Sequence, residues 1–78
     1  MAARVILFER KDCHLCEEVR VLLDEMIGQD RYERVDIDAS DELVMRYGFR
    51  VPVVAVDGFD RLEAPISAPD LRVVLQDT

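Results

Sequence analysis

The sequence predicts one α/β domain built on a four-stranded mixed sheet with helices on both faces. Three observations predict it. Val5-Ile6-Leu7-Phe8 is a short apolar run rich in branched side chains, as a strand buried on both faces is, and Val51-Pro52-Val53-Val54-Ala55-Val56 is the most strand-like stretch in the chain. Between them Cys16, Val19, Leu22, Leu23 and Met26 recur at helical spacing and form one apolar stripe. Asp57-Gly58 is a hairpin signal that forces an antiparallel return.

The elements follow in order. After the first strand, Asp12 is expected to cap a helix whose early turns carry Glu17 and Glu18, and Gly28 is a natural stop. Arg34-Val35-Asp36-Ile37-Asp38 alternates polar and apolar, as a half-exposed strand does. Being joined to the first strand through a helix, it should run parallel to it with a right-handed crossover. Ser40 opens a shorter helix, with Leu43 and Tyr47 one turn apart, and Gly48 closes it. Pro52 belongs at the start of the third strand, because it cannot donate a ladder hydrogen bond. Phe59 to Glu63 returns antiparallel. Pro65 interrupts the chain, and Ser67-Ala68-Pro69 starts a last helix with Leu71, Val74 and Leu75 facing inward. The order is β-α-β-α-β-β-α.

The 78 residues make a single domain, 1–78, and a core this small needs most of its aliphatic side chains buried. Ten Lys and Arg against 17 Asp and Glu leave a net charge of −7, which argues against nucleic acid or anionic membrane as partner. No segment approaches the roughly 20 apolar residues of a membrane span. The N-terminal Met1-Ala2-Ala3-Arg4 leads into an apolar run too short for a signal-peptide core. The cytoplasm is the expected compartment, and two nearby cysteines there are reactive or metal-binding rather than a permanent cross-link. Two cysteines fall short of a structural metal site, and His14 is poorly placed to join both sulfurs, so no metal is expected.

Asp12-Cys13-His14-Leu15-Cys16 carries the chemistry. Two intervening residues let both sulfurs meet across one helical turn. As a staple, a four-residue loop contributes only about 2 kcal/mol before strain, which points to chemistry instead. Cys13 lies at the helix start, where unpaired N–H groups and the dipole favour a thiolate, so its pKa should fall below about 8.5. Cys16 lies a turn deeper on the apolar stripe, where burial disfavours the charge. Cys13 is therefore the attacking sulfur, and Cys16 resolves the mixed disulfide. His14 either supports the Cys13 thiolate as a cation or is a solvent-exposed spacer. Leu15 is expected to pack beside the helix start, with a surface position as the alternative. Arg10 and Lys11 precede the motif as cations that can greet an anionic substrate or simply face solvent.

Cys13-His14-Leu15-Cys16 on a helix start after a strand, together with Tyr47-Gly48-Phe49-Arg50-Val51-Pro52-Val53-Val54 before a hairpin, resembles the glutaredoxins of the thioredoxin superfamily. The closest likeness is to small bacterial glutaredoxin-like proteins with a Cys-His-Leu-Cys site. That resemblance implies a thioredoxin-like fold, with Pro52 after a cis bond opposite the cysteines and Val51 offering backbone groups to an extended substrate. It places Arg10 at the basic position three residues before the first cysteine of a glutathione site. Arg50 stands where the family has Thr, adding charge and bulk. Ile66-Ser67-Ala68-Pro69-Asp70 stands where the family has a Gly-Gly turn, so side chains occupy space a close ligand approach needs. Asp70 is either a contact for a ligand ammonium or a negative charge at a helix N-terminus.

The leading expectation is a small dithiol oxidoreductase that acts on protein or small-molecule disulfides as a monomer. No cofactor is bound; glutathione serves as reductant or substrate, though the missing Gly-Gly turn predicts poor turnover with it. Its potential should lie within roughly −180 to −270 mV. The candidate site is Cys13 and Cys16 as catalytic pair, with Arg10, His14, Arg50, Val51 and Pro52 in the substrate groove. A second reading is a non-catalytic peptide-binding module with Arg50, Arg10 and Lys11 as a basic rim. A third is a dimer bridging an iron–sulfur cluster through Cys13 and exogenous thiols.

Overall fold

The predicted element order is found in the computed structural model, which describes residues 3–76. The elements are β1 (Val5–Glu9), α1 (His14–Met26), β2 (Glu33–Asp36), α2 (Asp41–Tyr47), β3 (Val53–Val56), β4 (Phe59–Glu63) and α3 (Ala68–Gln76). Met1, Ala2, Asp77 and Thr78 lie outside the described residues, and with them the first two positions of the N-terminal segment. The four strands form one sheet in the order β2-β1-β3-β4. β1 pairs parallel with β2 and antiparallel with β3, and β3 pairs antiparallel with β4. Among the described residues no helix is long and apolar enough to cross a membrane.

The two-residue period of the strands divides the core. Val5 and Leu7 of β1 and Val54 and Val56 of β3 meet Val19 and Leu23 of α1 and Leu71 and Val74 of α3. On the opposite face Val53 packs with Ile37 and Tyr47, flanked by Phe8, Leu43 and Val51, so α2 covers this side. β3 is buried along its whole length because it is central, whereas β4 exposes most of its residues as the edge strand. The hairpin between them uses Asp57 at φ 52° and Gly58 at φ 87°, the two left-handed residues its tight turn needs.

Some boundaries fall elsewhere than the residue pattern predicts. The second strand stops at Asp36, because the Asp36 carboxylate accepts from the Asp38 N–H at 2.9 Å and turns the chain into a 3₁₀ segment, Ile37–Ala39. Ile37 still reaches the core, but from that turn rather than from a strand. The third strand begins at Val53, with Val51 and Pro52 preceding the ladder. Gly48 does close α2, its N–H donating to Val44 O at 2.8 Å. It sits at φ −52°, so close packing rather than left-handed backbone requires it: a Cβ there would meet the Val44 carbonyl oxygen at 2.5 Å.

Both tyrosines fasten the helices through their hydroxyls. Tyr32 donates to Asp24 on α1, and burial with that bond pushes its pKa up to about 12. Tyr47 donates to Asp60 on β4 at 3.0 Å and is likewise raised, first by burial and then by that bond. A raised folded-state pKa means stability that is whole below the unfolded value near 10 and declines as pH rises through the folded value. Absorbance titration of tyrosinate is therefore expected to show no ionisation step near pH 10 in the folded protein. A step there from either ring would contradict these bonds.

Candidate active site

β1 delivers the chain to the cysteine pair. After Glu9, Arg10 and Lys11 lead to Asp12, whose φ of 56° reverses the chain into α1. Short acidic side chains tolerate this left-handed region better than most. Asp12 is not the helix cap. Cys13 is: it is extended at φ −110°, its Sγ accepts from the Cys16 N–H at 3.2 Å, and its carbonyl takes the first helical bond from Glu17 N–H at 3.1 Å. Cys13 and Cys16 are joined as a disulfide with Cα atoms 5.2 Å apart.

The two sulfurs sit in unlike surroundings. Cys13 is half-buried and borders a shallow cleft of about 400 Å³ that Asp12, His14 and Glu17 also line. Cys16 is 1% exposed and lies on the apolar side of α1. An incoming group can therefore approach sulfur 13 from solvent, while sulfur 16 faces the protein. A thiolate at position 13 would keep the N–H of Cys16 as donor and the helix dipole behind it.

Of the groove residues predicted from sequence, Val51 and Pro52 lie at the approach to β3, at the same end of the sheet as the cysteine loop. Antiparallel pairing of Phe8 with Val53 brings the start of β3 beside the end of β1, from which the cysteine loop departs. Pro52, buried, precedes that start, and the Val51–Pro52 peptide bond is cis, as is Ala64–Pro65. The Val51 N–H donates to Tyr47 O at 3.1 Å, so this backbone donor is already engaged. His14 is exposed and directs Nε2 to Glu18 at 3.5 Å, one helical turn on. Leu15 is 46% exposed, a surface position rather than packing at the helix start.

Both groove arginines are tied inside the molecule. Arg10 donates to Asp38 at 2.6 and 3.3 Å and to Gly48 O at 3.3 Å, binding the loop after β1 to the turn before α2 and to its end. Arg50 bridges Asp60 and Glu63 of β4, each at 3.4 Å, and lies 5.3 Å from the centre of the Tyr47 ring. In both, the bond to a carboxylate raises the guanidinium pKa. Asp70 sits in the first turn of α3 with its N–H capped by Ser67 Oγ at 3.2 Å.

Sequence reasoning missed Glu17 as a wall of the cysteine cleft. Its carboxylate pairs with Arg20 at 2.8 Å, and that bond and charge lower its pKa. It also missed Glu9, 8% exposed and held by Arg34 at 2.6 Å. Strand register brings that pair together, and no linear motif announces it. Among the described residues no group of three or more His, Cys, Asp or Glu is arranged to hold a metal ion.

A family model described as Glutaredoxin-like domain (DUF836) matches residues 4–76. The chain belongs to this glutaredoxin-like family. A structural genomics target protein from X. campestris is 36% identical, covering 95% of this chain and 97% of its own, with a TM-score of 0.81. A protein from Nitrosomonas europaea known from a solution structure is 25% identical, covering 96% of this chain and 93% of its own, with a TM-score of 0.70. Oxidised mitochondrial thioredoxin 3 from Saccharomyces cerevisiae shares the fold at 20% identity, covering 99% of this chain and 79% of its own, with a TM-score of 0.72. No curated protein matches the sequence. The fold of this glutaredoxin-like chain is thus thioredoxin-like, with its cysteine pair at the helix start that follows β1.

Proposed function

We propose that this glutaredoxin-like protein is a small thiol–disulfide oxidoreductase of the cytoplasm. The observation that carries the reading is the asymmetry of the pair, with Cys13 at the helix cap beside a solvent cleft and Cys16 sealed behind it. The reduced Cys13 thiolate attacks a substrate disulfide, forms Cys13–S–S–R and releases one thiol. Cys16 then attacks the Cys13 sulfur, releases the second thiol and closes the Cys13–Cys16 disulfide. The substrate gains two electrons and the protein loses two. Cytosolic thiol pools restore the dithiol.

The peptide-binding alternative draws less support, since two of the three cations that motivate it, Arg10 and Arg50, are engaged in internal ion pairs. Reduced protein mixed with hydroxyethyl disulfide is expected to release two thiols per chain and to end with no alkylatable cysteine. Persistence of both free cysteines would overturn the reading.

A further inference from the structure

The mouth of the cysteine cleft is acidic, and Arg10, three residues before Cys13, is paired with Asp38. Asp12 and Glu17 line the cleft with Cys13 and His14. Asp12 is exposed and makes no ion pair among the described residues. Glu17 keeps its negative charge to lower pH than usual because Arg20 holds it, and Glu18 stands over His14 at 3.5 Å. Glu17 also walls the neighbouring cleft, where Arg10, Lys11 and Arg34 face Glu9 and Asp36; none of those three cations lines the cleft that Cys13 opens into. Arg10 and Arg50, which an anionic ligand would need, are bound to Asp38 and to Asp60 and Glu63. The chain as a whole carries −7.

From this arrangement we infer that the dithiol selects disulfides flanked by positive charge and disfavours anionic ones, oxidised glutathione included. The inference rests on the oxidoreductase reading and names the substrate class of the same site. A cationic group next to the attacked sulfur sits beside the Asp12 and Glu17 carboxylates as the mixed disulfide forms, and a carboxylate in its place is repelled. A unit charge about 4 Å from another in water is worth about a fivefold change in rate at low salt, less where a cation such as Arg20 already shares the field. The net charge adds long-range attraction for cations. The chemistry balances as before: the R–S–S–R bond breaks, Cys13 and then Cys16 supply the two electrons, and two thiols leave.

The test compares pre-reduced full-length protein with three disulfides: cystamine, hydroxyethyl disulfide and dithiodipropionate. Each rate is divided by that of dithiothreitol with the same disulfide, which removes differences in leaving-group acidity. Normalised rates are expected to fall in the order cationic, neutral, anionic, spanning about tenfold at low salt. The spread should collapse in about 1 M salt, where the screening length is about 3 Å. Asp12→Asn and Glu17→Gln should each narrow the cationic-to-anionic ratio by about threefold to fivefold. Equal normalised rates, or faster reaction of the anionic disulfide, overturn the inference while leaving the oxidoreductase reading intact. Absence of reaction with all three overturns that reading and this inference with it.

Discussion

Cys13→Ser is expected to abolish capture of a disulfide substrate, and Cys16→Ser to trap the mixed disulfide as a stable adduct. The first variant leaves only a thiol that is 1% exposed on the apolar face of α1. Burial withholds it from an incoming disulfide and disfavours its thiolate. The second variant keeps the half-buried sulfur at the helix cap but removes the group that would release the adduct. Mass spectrometry after mixing each reduced variant with hydroxyethyl disulfide distinguishes the two. The expected result is an adduct on one variant at near full occupancy and loss of at least about a hundredfold in rate on the other. An adduct forming equally fast on both would reverse or erase the assigned roles.

Removing the Tyr47 ring is expected to cost more stability than any surface change near the site. Tyr47 is 3% exposed, stacks on Phe8 with ring centres 4.3 Å apart, and carries the guanidinium groups of Arg46 and Arg50 at 5.3 Å. Its carbonyl also accepts from the N–H groups of Arg50 and Val51, at the approach to β3. Truncation of a buried aromatic to alanine costs about 3–5 kcal/mol. A domain of this length has roughly 4–12 kcal/mol in hand. Tyr47→Ala should therefore lower the denaturant midpoint sharply or leave the chain unfolded. Tyr47→Phe keeps the ring and loses only the bond to Asp60, an effect of about 1 kcal/mol. If urea unfolding put both variants within about 1 kcal/mol of the unsubstituted protein, the ring would not anchor α2 to the sheet as described.

What the sequence reveals here depends on range. The Asp57-Gly58 hairpin, the stripe on α1 and the Ser40 cap are written in residues a few positions apart, and all three are found, Ser40 Oγ accepting from Leu43 N–H at 3.4 Å. The end of β2 is local too, but two rules compete there. The alternation through Ile37 says strand, while the Asp36 carboxylate turns the backbone, and the turn prevails because Ile37 can reach the core from either conformation. At α1, capping preferences favour an oxygen over a sulfur and so point to Asp12. The left-handed twist at Asp12 moves the cap one residue on, which puts Cys13 itself at the amide-rich end.

The disulfide pair is legible because Cys13 and Cys16 are neighbours in sequence. The site's electrostatics are not. Arg10 finds Asp38 and Arg50 finds Glu63 only through strand register and the placement of α2, across separations of 28 and 13 residues. A reader of the sequence sees free cations beside a groove. The folded chain instead presents Asp12 and Glu17 beside Cys13.

The thiolate at position 13 must form despite those two carboxylates. The Cys16 N–H and the helix dipole favour it, and a thiol at a helix N-terminus can drop several units below its free value near 8.5. Asp12 opposes this by about 1 kcal/mol or less at an exposed site, and Arg20 blunts Glu17, so the helix end should win. The direct measurement is the pH dependence of alkylation by iodoacetamide, a neutral reagent, on the reduced Cys16→Ser and Cys13→Ser proteins. A midpoint below 8.5 for the thiol at position 13, with slower reaction and a higher midpoint for that at position 16, is the predicted result. Equal midpoints, or the lower one at position 16, would contradict it.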